Sequence, residues 1–155
     1  MPSLTPTTIA ALEPLLEAQI IATTPRITVA GSDGWRKRDK ATAGAGRTRR
    51  FQLVWEPGNY FQGGIFTPAA VEVDAVLRVR TDYAAQQANN MHLIQDDWHQ
   101  LRDRMSALTA DPATGLVFVQ TTRPQPVAVT AEKAVGKDVL QIDLTYQVRY
   151  LQARG

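Results

Sequence analysis

Three side chains that could bind a metal ion lie on one stretch of the chain with helical periodicity. His92, Asp96 and His99 follow one another at spacings of four and three residues, so a helix would place them on one face. Imidazole and carboxylate groups are common zinc ligands, but no recognisable spacing supplies a fourth ligand. The pattern is more typical of a solvated helix face beside Trp98, so we expect no metal here.

Two other short patterns suggest catalysis, but neither meets the requirements of a catalytic site. Asp96 and Asp97 are adjacent, and neighbours on a helix point about 100° apart, so they predict surface charge rather than an acid–base pair. Gly136-Lys137-Asp138 contains the Gly-Lys of a phosphate-binding loop. However, Ala131 stands where the first glycine is required, and Asp138 replaces the hydroxyl residue that binds the metal.

The remaining sequence does not indicate an enzyme. It contains no cysteine, which excludes a disulfide scaffold, a thiolate zinc site and a cysteine nucleophile. The motifs of serine hydrolases, zinc peptidases and dinucleotide-binding proteins are also missing from it. We therefore predict no catalytic residue, no cofactor and no metal ligand.

The strongest compositional feature is a basic segment. Between Gly31 and Arg50 there are seven basic and two acidic residues, so this segment carries +5 while the net charge of the chain is only +2. Such asymmetry points to an anionic partner or an interaction arm, although a charged loop that only aids solubility is about as common. The candidate interface residues here are Trp35, as an aromatic anchor, with Arg36, Lys37, Arg38, Lys40, Arg47, Arg49 and Arg50.

Length and composition indicate what kind of domain positions these residues. The 155 residues, of which 44% are hydrophobic and 21% charged, suit one globular domain spanning residues 1–155. No apolar run approaches a membrane span, and the first residues do not resemble a signal peptide. Glycine-rich residues 31–48 predict a flexible loop within this domain.

Hydrophobic periodicity predicts two helices. Ile9, Leu12, Leu16 and Ile20 form an amphipathic stripe that Thr5 or Thr7 would cap. Pro14 either kinks this first helix or begins a shorter one that runs to about Ala22. A second, stronger helix is predicted for Gln86 to Leu108.

The strands are predicted from alternation and from turn signals. A short strand is expected at Arg26–Ala30, and longer ones at Arg49–Glu56, Ala69–Thr81, Leu116–Thr122 and Val139–Tyr150, with a turn at Pro57-Gly58-Asn59. Pro124 and Pro126 would bend the fourth strand or keep it at an edge. We therefore predict an α+β protein with a mostly antiparallel sheet of four to five strands and two helices packed on one face. The expected core contains Val73, Leu77, Ile94, Trp98, Leu101, Ile142, Leu144 and Tyr146.

This order of elements resembles the tail terminator proteins of long-tailed bacteriophages. The likeness lies in an N-terminal helix, a variable segment, a long alternating strand that runs into Thr81-Asp82-Tyr83, and a helix of the type Ile94-x-x-Asp97-Trp98-x-x-Leu101. A glycine-led strand at Gly115-Leu116-Val117 follows, and a closing strand spans Val139 to Tyr150. The basic segment is longer than the family pattern requires. The match is one of layout and covers nearly the whole chain.

The resemblance implies a structural virion protein that is not an enzyme. It would form a homo-oligomeric ring, usually a hexamer, on the tail tube protein at the head-proximal end of the tail. The ring would end polymerisation and meet the head-neck connector proteins, while genomic DNA passes through its lumen without sequence-specific binding. Arg78, Arg80 and Asp143, on the wet faces of two strands, would add charges for contacts between neighbours.

Two other functions are compatible with the residues alone. The basic 31–50 arm could serve a small nucleic-acid-binding module, because each phosphate that it neutralises releases a counterion. A different neck protein, such as a head completion protein, would share the resemblance. The sequence does not decide whether the arm faces a lumen, a neighbouring subunit or solvent.

Overall fold

The computed structural model describes residues 5–27, 34–37, 49–60, 64–84, 91–108, 114–121, 127–129 and 139–154. Its helices are α1 (Ile9–Ile21) and α2 (Met91–Ser106). Its strands are β1 (Arg36–Lys37), β2 (Arg50–Tyr60), β3 (Ala70–Ala84), β4 (Leu116–Thr121), β5 (Val127–Val129) and β6 (Val139–Ala153). The predicted α+β class is confirmed.

The sheet is mostly antiparallel, as predicted, and the parallel pair of β1 and β2 makes it mixed. Its order is β1-β2-β3-β6, and β4 and β5 both pair with β6. Because β3 occupies one side of β6 along its whole length, β4 and β5 lie one after the other on the opposite side and together form the far edge. Among the described strands only β1 and β2 run parallel. The residues between β4 and β5, including Pro124 and Pro126, lie outside the described part of the chain.

The long strands β3 and β6 pair without interruption at the centre of the sheet and build one side of the core. Leu77 lies opposite Tyr146, and Val79 lies opposite Leu144. Directly opposed residues on antiparallel strands share a face, so these side chains form one apolar surface. All eight predicted core residues are buried in a single cluster, which confirms that part of the prediction.

Contacts from both helices reach this apolar surface. Trp55 of β2, which pairs with Leu77, donates its indole N–H to Glu13 of α1 over 3.3 Å. Tyr83 of β3 donates its hydroxyl to Asp97 of α2 over 3.0 Å. Leu12, Leu16 and Ile20 of α1 and Leu93, Ile94, Trp98, Leu101 and Met105 of α2 belong to the same core cluster.

The cap of helix α1 lies one residue after Thr7 and three after Thr5, the two predicted caps, and the helix continues through its proline. Thr8, rather than Thr5 or Thr7, is the N-cap, and its hydroxyl accepts from the Ala11 N–H at 3.2 Å. Pro14 cannot donate to the Ala10 carbonyl. Ala10 and Pro14 both face solvent, where water can pair with that carbonyl, so the helix is not broken.

The N-terminal segment is fastened to the end of the sheet, which fixes where α1 starts. Thr7 bridges Gln152, and the Leu151 N–H donates to the Gly115 carbonyl at 2.9 Å. Gly115 has φ +72°, and a Cβ on it would lie 2.3 Å from the Thr5 carbonyl oxygen. Only glycine fits this crossing, because it combines positive φ with close backbone contact.

Several predicted elements and boundaries differ from the structure. The predicted turn at Pro57-Gly58-Asn59 is wrong, because β2 runs through it with a bulge: the two residues between Glu56 and Asn59 face the single residue between Val76 and Asp74. A bulge tolerates proline since the ladder is interrupted there anyway. β1 was predicted as loop; it forms because the Arg36 N–H donates to the Arg49 carbonyl at 3.0 Å.

The remaining differences are at the ends of elements. Arg26 and Ile27 are bends rather than the start of the predicted strand, and residues 28–30 lie outside the described part. So do residues 86–90 of the predicted second helix and residues 131–138 around Gly136-Lys137-Asp138. β3 and β6 each extend about three residues beyond the predicted ends, to Ala84 and Ala153.

Candidate functional site

The structure divides the predicted basic arm between the surface and the core. Arg36 and Lys37 are exposed on β1, and the Lys37 ammonium lies 3.0 Å from Glu17 of α1. Trp35 is buried, with its ring edge-on to Tyr83 at a centroid distance of 6.3 Å, so it anchors β1 to the core and is not an exposed contact. Arg38, Lys40 and Arg47 lie outside the described residues.

The last two residues of the predicted arm are buried, which corrects their assignment to an exposed interface. Arg50 is buried on β2, and Arg49 is the largest fully buried side chain in the described part of the chain. The sequence could not show this, because Arg47, Arg49 and Arg50 look alike in a basic run. The assignment depends on which guanidinium meets a buried carboxylate.

Arg49 forms a buried two-point ion pair with Asp97. Its Nε donates to Asp97 Oδ2 at 2.9 Å and its Nη2 donates to Oδ1 at 3.1 Å, while Nη2 also donates to the Ile27 carbonyl. The Tyr83 hydroxyl donates to the same Oδ2. Asp97 was predicted to be surface charge, and this is wrong: α2 turns its side chain inward, while the adjacent Asp96 pairs with Arg26 at 3.6 Å.

The backbone at Arg49 is held in an unusual conformation. Its φ is +62°, a left-handed value that is uncommon outside glycine. The Arg49 N–H donates to the Asp82 carbonyl at 2.8 Å, and its carbonyl accepts from Arg36. Hydrogen bonds of this residue therefore connect β1, β3 and α2, which indicates that its role is structural.

Burial dominates the electrostatics of this cluster. Loss of water raises the pKa of Asp97 above its ordinary value, although Arg49 and Tyr83 both favour the ionised carboxylate. Burial, followed by the neighbouring Asp97, raises the pKa of Tyr83 well above its ordinary value. The hydroxyl therefore remains a donor to the carboxylate, and we assign the cluster to folding rather than to proton transfer.

Alkaline pH should unfold the protein through its buried tyrosines. Burial raises the pKa of Tyr83, Tyr146 and Tyr150, three of the four tyrosines. The unfolded chain loses these protons near pH 10 while the folded chain keeps them. Stability should therefore be intact below about pH 9 and fall above it by up to about 1.4 kcal/mol per pH unit for each tyrosine.

This pH dependence can be measured by following tyrosinate absorbance and circular dichroism in one alkaline titration. We expect most of the tyrosinate signal to appear together with loss of the folded signal. Ionisation of three tyrosines near their ordinary pKa in a chain that stays folded would contradict the burial that we describe.

The predicted interface charges lie on the side of the sheet opposite the core cluster and pair within the subunit. Arg80 on β3 and Asp143 on β6 are directly opposed, and the guanidinium donates to both carboxylate oxygens at 3.0 and 3.3 Å. Arg78 forms an ion pair with Glu56 of β2. These residues were predicted to contact neighbouring subunits; in the structure their charges link adjacent strands of one subunit.

A second cross-strand pair continues this pattern. Arg149 donates to Asp74 at 2.7 and 3.1 Å, and its guanidinium lies over the Phe118 ring at 4.7 Å. The side of the sheet opposite the core cluster therefore carries pairs of opposite charges. These side chains are mostly covered, since Asp143 is buried and the Arg149 side chain is 18% exposed, and any contact there would have to compete with the internal pairs.

The structure places His92, Asp96 and His99, which were weighed as a metal-binding trio, on α2. Within the described residues, no group of three histidine, cysteine or acidic side chains is arranged to hold a metal ion. His92 and His99 are exposed on α2, and the His99 ring lies 4.7 Å from the Trp98 ring. Asp96 of the same trio is engaged with Arg26.

The surface that sequence reasoning missed is the solvent side of α1. We call it the α1 outer face, and its six exposed residues are all apolar: Ala10, Ala11, Pro14, Leu15, Ala18 and Ile21. Leu15 is 45% exposed and Ile21 52%. A helix on the surface of a soluble protein normally shows charged and polar residues on this side.

The polar residues of α1 lie at the margins of this face and bond to the rest of the subunit. Glu13 accepts from Trp55, and Glu17 pairs with Lys37. Gln19 accepts from Arg104 of α2 at 3.1 Å. The signal was visible in the sequence, since IAALEPLLEAQII has only three polar residues in thirteen, too few to cover a solvent face.

A second exposed apolar surface lies where the chain enters β3. We call it the apolar turn, and it comprises Ile65, Phe66 and Pro68, of which Phe66 is 65% exposed. Backbone bonds hold the turn against the sheet: the Glu72 N–H donates to the Ile65 carbonyl, and the Thr67 N–H to the Ala70 carbonyl, both at 2.8 Å. The Arg154 guanidinium lies over the Phe66 ring at 4.5 Å.

Comparison with known proteins leaves these surfaces to be interpreted from their own chemistry. No family model matches the sequence, and no curated protein matches it. In the described part of the chain, neither helix is long and apolar enough to cross a membrane.

Proposed function

We propose that this chain is a structural protein of a bacteriophage neck that works by assembly. Its subunits form a ring at the head-proximal end of the tail tube, where the ring ends tube polymerisation and joins tail to head. The partners are further copies of the chain, the tail tube protein and the connector proteins of the head. The chain supplies surfaces for these contacts and no catalytic residue.

The α1 outer face is the observation that carries this proposal. Exposed apolar surface on a folded subunit costs free energy in water, and a contiguous patch of it marks a contact site. On α1 the apolar arc spans about 140° of the helix and, from Ala10 to Ile21, about 16 Å of its length. A subunit of a larger assembly buries such a surface.

The layout of elements links assembly to a tail terminator. The resemblance rests on a helix, a variable segment, a long strand, a helix, a glycine-led strand and a long closing strand. The described elements follow that order, from α1 to β3, α2, β4 and β6. Gly115 leads β4 with φ +72°, and the long strand runs through Thr81, Asp82 and Tyr83.

The nucleic-acid-binding alternative loses part of its basis. Two of the seven cations of the basic segment, Arg49 and Arg50, are buried, and Lys37 is paired with Glu17. A phosphate-binding arm needs solvent-facing cations, because counterion release scales with the phosphates that they neutralise. This observation favours an assembly protein.

Solution mass and electron microscopy test the proposal together. We expect a closed oligomer whose mass is a multiple of 17.1 kDa, or rings that form on the ends of tail tubes when the protein is added to them. DNA binding should be weak and should depend little on salt. A chain that stays monomeric with tail tubes present would overturn the proposal, and a monomer or dimer with a steep salt dependence would establish the nucleic-acid module instead.

A further inference from the structure

We propose that the α1 outer face of one subunit receives the apolar turn of the next copy of the same chain. This inference rests on the proposed ring and names the two surfaces that build it. The contact would bring Phe66 and Ile65 of one subunit onto the helix of its neighbour, between Leu15 and Ile21.

The distribution of exposed apolar residues points to this pairing. The large hydrophobic side chains exposed in the described part of the chain are Leu15, Ile21, Ile65 and Phe66. They fall into two sets of two on different elements, α1 and the turn before β3. A ring is built from head-to-tail contacts, which require two different and complementary patches on every subunit.

The two surfaces also differ in shape in the way that such a contact requires. Ala10, Ala11 and Ala18 make much of the α1 outer face shallow, because a methyl group barely rises above the helix backbone. Phe66 is a large side chain on a tightly bonded turn. Small residues on a helix allow close approach of a partner, and an aromatic side chain is a frequent anchor at interface centres.

Charge supports the same orientation. The charged residues of α1 are both acidic and lie along one margin of the α1 outer face; Glu17 is already paired with Lys37, whereas Glu13 accepts from the neutral Trp55 indole. The cation beside the apolar turn is Arg154, which is exposed and lies over Phe66. Docking Phe66 on α1 would bring this guanidinium toward the acidic margin, and like-signed surfaces would instead repel.

The absence of cysteine from the chain makes the contact accessible to cross-linking. We would prepare Leu15→Cys and Phe66→Cys subunits, mix them, and add a short bis-maleimide. A covalent pair is expected from the mixture and not from either variant alone, and a chain carrying both cysteines should give a ladder of oligomers. Ala107→Cys, at an exposed site beyond α2, replaces Leu15→Cys in the matched control and should give no pair.

A charge placed in the contact provides an independent measurement. Ala18→Glu keeps a good helix former on α1, so circular dichroism should show a folded subunit. The buried, unpaired carboxylate should raise the concentration needed for half-assembly at least about tenfold. Ala107→Glu should leave that concentration unchanged, and Phe66→Ser should act like Ala18→Glu.

The outcomes separate this inference from the proposed function. Covalent dimers of Leu15→Cys alone would show that α1 packs on a second α1, and would overturn the head-to-tail contact. Rings that form normally with Ala18→Glu or without Leu15–Phe66 cross-links would overturn the assigned surfaces while the ring stands. A wild-type chain with no assembly, alone or on tail tubes, would overturn both.

Discussion

Replacing Arg49 by methionine should lower the free energy of unfolding by about 3–5 kcal/mol, which is the usual loss when one partner of a buried ion pair is removed. Arg49 and Asp97 have no exposed side-chain surface. Methionine roughly fills the volume but leaves the carboxylate with the Tyr83 hydroxyl as its remaining described donor. Urea unfolding followed by circular dichroism measures the loss.

The double variant Arg49→Met with Asp97→Leu should cost less than the sum of the single changes. Removing both charges together avoids an unpaired ion in the core, so the two effects are coupled. Within the described residues Arg49 Nη1 is buried without a hydrogen-bond partner, which adds to the cost of keeping the charge there. Additive losses would show that the pair is not the unit of stabilisation.

Lys37→Met is the matched control for Arg49→Met. Lys37 also belongs to the predicted arm and also pairs with an acidic residue of a helix, Glu17 of α1, but it is exposed. An ion pair in water contributes little, because solvent screens it and the side chains lose freedom. Equal losses of unfolding free energy from the two variants would contradict the assignment of Arg49 to a buried, stabilising ion pair.

The burial of Arg49 could not be predicted from the sequence. Composition correctly marks a basic segment, but net charge is a sum and does not identify which cation enters the core. The 100° separation of Asp96 and Asp97 argued against an acid–base pair, and both residues were predicted to be surface charge. It does not show which of the two faces Arg49, because that depends on how α2 is rotated against β3.

Periodic elements were predictable to within a few residues because their burial repeats along the chain. Apolar and polar residues alternate over the central part of β3 and β6, and the apolar residues of α2 recur every three or four positions. Interruptions of this periodicity, such as bulges, were harder to predict. β2 continues through Pro57-Gly58 because its partner β3 is long enough to hold both sides of a bulge, which is tertiary information.

The α1 outer face was missed for a different reason. Leu12, Leu16 and Ile20 satisfy the pattern of an amphipathic helix by themselves, but the opposite side, with Leu15 and Ile21, lacks the polar residues that a free surface needs. The sequence of α1 therefore indicates two apolar surfaces, one for the core and one for a contact.

Trp98→Ala should also lower the free energy of unfolding by about 3–5 kcal/mol, because truncation of a buried aromatic residue leaves a cavity that the surroundings fill only in part. Trp98 is 7% exposed and belongs to the core cluster beneath α2. Arg102, one turn later on α2, covers the ring at 5.1 Å from its centroid and would lose this contact as well.

Trp55→Ala tests whether burial, rather than the loss of any tryptophan, sets the size of this effect. Trp55 is half-buried at the margin of the same cluster, so its replacement should cost roughly half as much or less, together with its bond to Glu13. Thermal unfolding should show a fall of about 10 °C for Trp98→Ala and a smaller fall for Trp55→Ala. The reverse order would mean that α2 does not seal the core at Trp98, and that the margin near α1 contributes more to stability than its exposure suggests.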